Sequence, residues 1–286
     1  MKENLRLHSF CLVTLYILGN AVILLPDKSA DGYTLFGFLA VFILSLAFCF
    51  VIAPFYRGLF TEKHQKLKAV VFLAVAVFSF WVASDTFKNS YSFISRIVLP
   101  KTSKPLIILV FLGVVLYFAF RSQKNVLKFS LLAFSATIIL IIFFFFASLS
   151  NYDLENVYMG LPDFKDILKN AKPYFLNPFL SILLLPMYFL FVFERVREKD
   201  MAVGITLGFL SLFLCIISSI LLFGPFLAGE LEYPFASAVS TVTVGKLYAR
   251  MDGLSYFIYF SSALIKITIC LFVTFSSLKK ISHQLS

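Results

Sequence analysis

Two stretches of this chain place helix-weakening residues inside apolar runs: Tyr16-Ile17-Leu18-Gly19-Asn20-Ala21-Val22-Ile23-Leu24-Leu25-Pro26 and Leu176-Asn177-Pro178-Phe179-Leu180-Ser181-Ile182-Leu183-Leu184-Leu185-Pro186. In the first, Gly19 weakens the helix at its middle, and the Asn20 side chain competes for backbone hydrogen bonds. In the second, Pro178 and Pro186 each remove a backbone donor. In hydrocarbon an interrupted helix is tolerated only where the freed groups meet protein, water or ligand.

The rest of the chain says that hydrocarbon is the solvent. Of 286 residues, 60% are hydrophobic and 14% charged, against about 45–50% and about 25% in soluble domains. That composition excludes a soluble enzyme or a nucleic-acid-binding domain. A spanning helix needs about 20 residues. Eight segments qualify, at 9–26, 34–57, 69–97, 105–121, 126–149, 174–195, 202–227 and 254–278. The chain therefore reads as one all-α integral membrane domain over 1–286. The segment at 105–121 is short. The one at 69–97 is long and ends among Asp85, Lys88 and Arg96, so it is expected to tilt into the headgroups. Asp85 and Lys88, three residues apart, are expected to pair near the outer interface.

The net charge of +10 follows the cytoplasmic excess of basic residues in membrane proteins rather than a nucleic-acid partner. Lys2 and Arg6; Arg57, Lys63, Lys66 and Lys68; Arg121, Lys124 and Lys128; Arg195, Arg197 and Lys199; and Lys279 and Lys280 fall on one side of the eight spans. Asp27, Asp31, Asp153, Glu155, Asp163, Asp166, Glu230 and Glu232 collect on the other, with Lys101 and Lys104 as exceptions. Both termini are thus expected in the cytoplasm. No cleavable signal peptide is expected, because Leu25-Pro26-Asp27 stands where small residues would. Two outer connections, at 150–173 and 228–253, are long enough to carry structure or function. Residues 233–240 read equally as a short surface helix and as a plain loop.

Cys11, Cys49, Cys215 and Cys270 lie in apolar stretches without metal-ligand spacing, and His8, His64 and His283 are scattered. There is no phosphate loop, G-x-S-x-G or H-E-x-x-H. No enzyme activity, metal or cofactor is expected.

Interrupted hydrophobic segments at corresponding places in two halves point to a transporter binding site. The interrupted spans here are the first and sixth, as a five-plus-five inverted repeat requires. The eighth span adds Lys266, about twelve residues or roughly 18 Å from its outer end. A lysine at that depth costs about 3 kcal/mol on insertion scales, so it should face protein or a water-filled cavity. Ser255, Tyr259, Ser262, Lys266, Cys270, Thr274 and Ser277 recur at helical spacing and form a polar stripe around it. Snorkelling along the lysine stem is the plainer alternative.

Three stretches carry a resemblance. ILGNAVILLP at 17–26 is similar to a glycine-containing first helix ending in Leu-Pro. SRIVLPKTSKPLIIL at 95–109 resembles a proline-rich connection into the fourth span. LEYPFASAVSTVTVGKLYARMDGLSYFIYFSSALIKI at 231–267 resembles a Tyr-Pro-Phe outer segment followed by an Arg-x-Asp pair, here Arg250 and Asp252. In order and spacing these resemble the B subunit of spore germinant receptors, the GerAB-type spore permeases of the amino acid–polyamine–organocation superfamily. The resemblance implies an incomplete version of the five-plus-five, LeuT-like fold. The family usually has ten spans where eight are read here, and it often has a Gly-Glu pair in the sixth span where this chain has LNPFLSILLLP.

It further implies a membrane subunit that senses a small germinant such as an amino acid, with A- and C-type receptor subunits as partners, in the inner membrane of the bacterial spore. By analogy the ligand site falls at the breaks and the facing stripe: Gly19, Asn20, Ala21, Pro178, Ser181, Tyr259 and Ser262. Lys266 would supply a fixed charge where sodium-coupled relatives bind a cation between the first and eighth spans. An amino-acid permease and a non-binding structural subunit remain open alternatives.

Overall fold

The computed structural model describes residues 2–24, 33–61, 65–121, 123–157, 162–193, 198–241 and 252–285, and within these the side chains at 2–5, 20–24, 57, 59–61, 65–66, 176–177, 252, 254 and 283–285 are excepted. Among the described residues all regular structure is helical. Ten α-helices follow in chain order: α1 (Lys2–Leu24), α2 (Thr34–Thr61), α3 (Gln65–Phe93), α4 (Lys104–Phe120), α5 (Gln123–Ala147), α6 (Phe164–Tyr174), α7 (Leu184–Phe193), α8 (Glu198–Glu230), α9 (Pro234–Ser240) and α10 (Asp252–Leu285). Among the described residues, five stretches are long and apolar enough to cross a membrane: Thr34–Tyr56, Leu67–Val98, Gln123–Ala147, Glu198–Glu230 and Ser255–Ser282. Three shorter apolar helices, Arg6–Gly19, Lys104–Phe120 and Leu180–Phe193, lie where the first, fourth and sixth spans are expected. Gly19 interrupts the first, and π and 3₁₀ turns precede the helix of the sixth.

The layering follows from which residues hide. Every side chain from Cys11 to Leu18 is buried, as is nearly all of α10 from Ile258 to Cys270. These two helices form the centre. The periphery is apolar on its outer face: Ile43, Val51 and Phe55 of α2, and Leu109, Val110 and Phe120 of α4, are exposed. An exposed apolar surface of this extent is what a lipid-facing helix presents.

Close approach of α1 and α8 depends on Gly204 and Gly208, four residues apart on α8. A Cβ at Gly204 would stand 2.6 Å from Val13 Cβ, and one at Gly208 would stand 2.9 Å from Ile17 Cβ. Small residues spaced by four let membrane helices meet backbone to backbone. The Thr14 hydroxyl uses this contact, donating to the Gly204 carbonyl at 3.1 Å as well as to Phe10 in its own helix.

Both long connections, 150–173 and 228–253, carry helices. The first holds α6, whose Asn170 is buried and accepts from the Thr34 hydroxyl at 3.3 Å. The second holds α9, whose Phe235 is buried against Tyr259 and Phe144. Arg96 pairs with Glu232 and ties the end of the third span to the α8–α9 connector.

Candidate functional site

Three interruptions shape the core. In α1 the chain leaves helical geometry at Gly19, with φ −13° and ψ −108°. Between α6 and α7 the helix changes pitch instead: Phe175–Phe179 forms a π-helical turn and Leu180–Leu183 a 3₁₀ turn. Such turns leave carbonyls poorly matched to their own helix and concentrate at functional sites. In α8, Gly224 takes φ 75°, a left-handed conformation that glycine adopts without a steric penalty, and Pro225 follows it. Pro225 has no N–H to give Leu221. That carbonyl instead accepts from the Asp153 backbone at 3.1 Å and the Asn156 amide at 3.1 Å.

Lys266 joins the first two interruptions. It is fully buried. Its stem lies against Gly19 so closely that a Cβ there would stand 2.5 Å from Lys266 Cδ and 3.1 Å from Lys266 Cβ. A side chain at Gly19 would force the Lys266 stem to shift: Cδ can rotate away, whereas Cβ is fixed to the α10 backbone and would have to give by a few tenths of an ångström. The ammonium sits 5.3 Å from the centroid of the Tyr16 ring, within the range of a cation–π contact.

Tyr16 then reaches the second interruption. Its hydroxyl donates to the Ser181 carbonyl at 2.8 Å and lies 3.7 Å from Cys270 Sγ, one turn beyond Lys266. The Ser181 hydroxyl donates to the Pro178 carbonyl at 2.7 Å, inside the π turn. The break in α1, the break before α7 and the buried lysine thus form one chain of contacts. Its polar members lie out of solvent, where such bonds are electrostatically stronger than in water.

The expected site residues fall into three groups. Gly19, Pro178, Ser181 and Lys266 come together through Tyr16. Ser262 is buried one turn before Lys266, and its hydroxyl donates to Ile258 of its own helix at 2.6 Å. Tyr259 lies a further turn away, with its ring 4.6 Å from that of Phe93 and its hydroxyl without a hydrogen-bond partner among the described residues. Asn20 and Ala21 follow the break, and their side chains lie outside the described residues, as do Pro26 and Arg250 and the side chain of Asp252. Tyr16 was not among the expected residues. Nor were Gly204 and Gly208, or Gly224-Pro225, although a Gly-x-x-x-Gly spacing and a Gly-Pro dipeptide are readable signals.

The four thiols are free and buried. No group of three His, Cys, Asp or Glu comes together among the described residues. A groove of about 340 Å³ opens elsewhere, between α4, α10 and the end of the third span, lined by Leu106, Val110, Phe111 and Leu264.

Membrane-length apolar helices around an interrupted, polar-lined centre define a multi-pass, permease-like membrane protein. The chain belongs to the spore germination protein family, the spore permeases, whose model matches residues 6–284. That family is one of permease-like membrane proteins involved in germination and is not an enzyme family. No curated protein matches the chain.

Proposed function

We propose that this chain is the membrane subunit of a spore germinant receptor and senses a small nutrient, an amino acid, at the interruptions in its first and sixth spans. In this reading α1, α2, α3, α4, α5, the segment running from the π turn through α7, α8 and α10 are eight spans of a five-plus-five inverted-repeat fold. Both termini are cytoplasmic, the membrane is the inner membrane of the spore, and A- and C-type receptor subunits are the partners.

The observation that carries the reading is the contact between Gly19 and the Lys266 stem, bridged by Tyr16 to Ser181. Half-helix ends of the kind expected at such breaks orient backbone amides toward a ligand carboxylate. A tethered ammonium beside them does the work of a bound cation without sodium. The ligand would then be felt by both interrupted helices at once, because one tyrosine touches both. Arg96–Glu232 and α9 close the outer side above Tyr259.

The test uses the purified chain in lipid nanodiscs with a panel of amino acids. At least one should raise the unfolding temperature, and the same amino acid should trigger germination in spores that also hold the companion subunits. Flux of that amino acid into proteoliposomes by this chain alone would make it a permease. Assembly with the companion subunits but no thermal shift from any amino acid would make it structural.

A further inference from the structure

The groove between α4, α10 and the end of the third span lies apart from the contacts around Lys266. Leu106, Val110 and Val114, at four-residue steps on α4, line it from exposed positions, and Phe111 of α4 and Leu264 of α10 line it from buried ones. From Leu106 to Val114 the row runs roughly 12 Å at 1.5 Å per residue. That is close to one leaflet, half of a hydrocarbon core about 30 Å thick. A spanning helix from a partner would need a seam across the whole thickness. A single acyl chain needs one leaflet.

One end of the groove carries positive charge. The Thr102 N–H donates to the Leu99 carbonyl at 3.1 Å and closes a turn with Pro100 and Lys101 at its tip. Both ends of that turn, Leu99 and Thr102, line the groove. Lys104 opens α4 two residues later, and no acid stands in the first turn of that helix. Lys101 and Lys104 are exposed, and neither has an ion-pair partner among the described residues, whereas Arg96 pairs with Glu232. A helix N-terminus favours anions, so two lysines here add to its positive end instead of balancing it. The same two lysines are the exceptions to the sorting of basic residues along the chain.

We propose that this groove holds one anionic phospholipid, with its phosphate between Lys101, Lys104 and the Thr102 hydroxyl and one acyl chain laid along Val110, Phe111 and Leu264. Basic residues at the end of an apolar cleft between membrane helices are the chemistry that selects an anionic head group. A neutral lipid fills the groove equally well but leaves both lysines unanswered. The site is separate from the breaks at Gly19 and Pro178 and does not depend on whether a nutrient binds there.

The test titrates dioleoyl phosphatidylglycerol, or phosphatidylcholine with the same chains, into the full detergent-solubilised chain and counts bound lipid by native mass spectrometry. Wild type should hold one phosphatidylglycerol about thirtyfold more tightly than phosphatidylcholine, as two lysines near a phosphate allow. K101Q/K104Q should lose that preference. V110W, which fills the groove from an exposed position, should lose bound lipid of both kinds. K124Q/K128Q, at exposed lysines of α5, and V51W, at an exposed valine of α2, should bind as wild type does. Equal binding of the two lipids by wild type overturns the proposal. So does a loss confined to K101Q/K104Q, which means surface charge without a groove, and one confined to V110W, which means an occupant that the lysines do not select. Should either variant fail to accumulate, phosphatidylglycerol with an acyl-chain diazirine is cross-linked to wild type instead. Adducts on 94–114 and 260–264 support the site, and adducts that avoid both contradict it.

Discussion

At Gly19 the first helix leaves helical geometry at a residue with no side chain, and the space is filled by a lysine from α10. Between Phe175 and Leu183 the chain goes on winding, first wide and then tight, and prolines set the change. The first interruption is made by a neighbour, because it needs Lys266 to lie where a Cβ would be. The second is written into its own sequence, because Pro178 and Pro186 lack donors wherever the segment is placed. One break should therefore respond to changes on another helix, and the other should persist through them. Tyr16 touches both, its ring beside the Lys266 ammonium and its hydroxyl on the Ser181 carbonyl.

The strongest way to separate the two is to fill the first. Gly19→Leu drives side-chain atoms into the Lys266 stem, at a cost of about 1–3 kcal/mol for overpacking. Displacing Lys266 by that much should lower ligand response roughly tenfold or more, with the protein still present in the membrane. Germination assays on spores with matched protein levels check it. An unchanged response would remove the main support for a site at this break.

A second prediction probes what holds α1 in reach of the lysine. Gly204→Ala places a Cβ 2.6 Å from Val13 Cβ, and the solubilised protein should be destabilised by about 1–3 kcal/mol. Gly58→Ala, at a glycine with open space around it, is the control for thermal melts and should stay within about 0.5 kcal/mol of wild type. Similar melts for the two would show that close α1–α8 contact is not needed.

A smaller effect isolates the bridge. Tyr16→Phe keeps the ring beneath Lys266 and removes the hydroxyl that reaches Ser181, at a cost of about 1 kcal/mol. If the two breaks communicate through this bond, ligand response should weaken while insertion is unaffected. Wild-type response at every ligand concentration would show that they do not.

The smallest effect belongs to the third interruption. Asn156→Ala removes one of two donors to the Leu221 carbonyl and leaves the Asp153 N–H in place, so a loss of about 0.5–1 kcal/mol is expected in thermal melts. A loss as large as that of Gly204→Ala would mean that the 149–157 segment braces α8 far more than its contacts suggest.

Much of the helical layout could be read along the chain, because apolar length and helix weakeners are local properties. The weak points at Gly19 and Pro178 needed only counting, and the burial of Lys266 followed from its place in an apolar run. Tyr16 could not be picked out, since one tyrosine among 37 phenylalanines and 13 tyrosines carries no mark of the carbonyl it will meet. Gly204, Gly208 and Gly224-Pro225 were legible signals passed over, in segments whose high hydropathy already explained them as spans. The 150–173 connection hid α6, whose Asn170 finds its partner on α2.

The central claim is that the buried lysine serves ligand response rather than packing. Its most direct test is germination of spores carrying Lys266→Met, measured with and without added sodium at matched protein level. The account predicts an impaired response in the variant and a wild-type response that sodium does not alter. An undiminished response in Lys266→Met spores would contradict it.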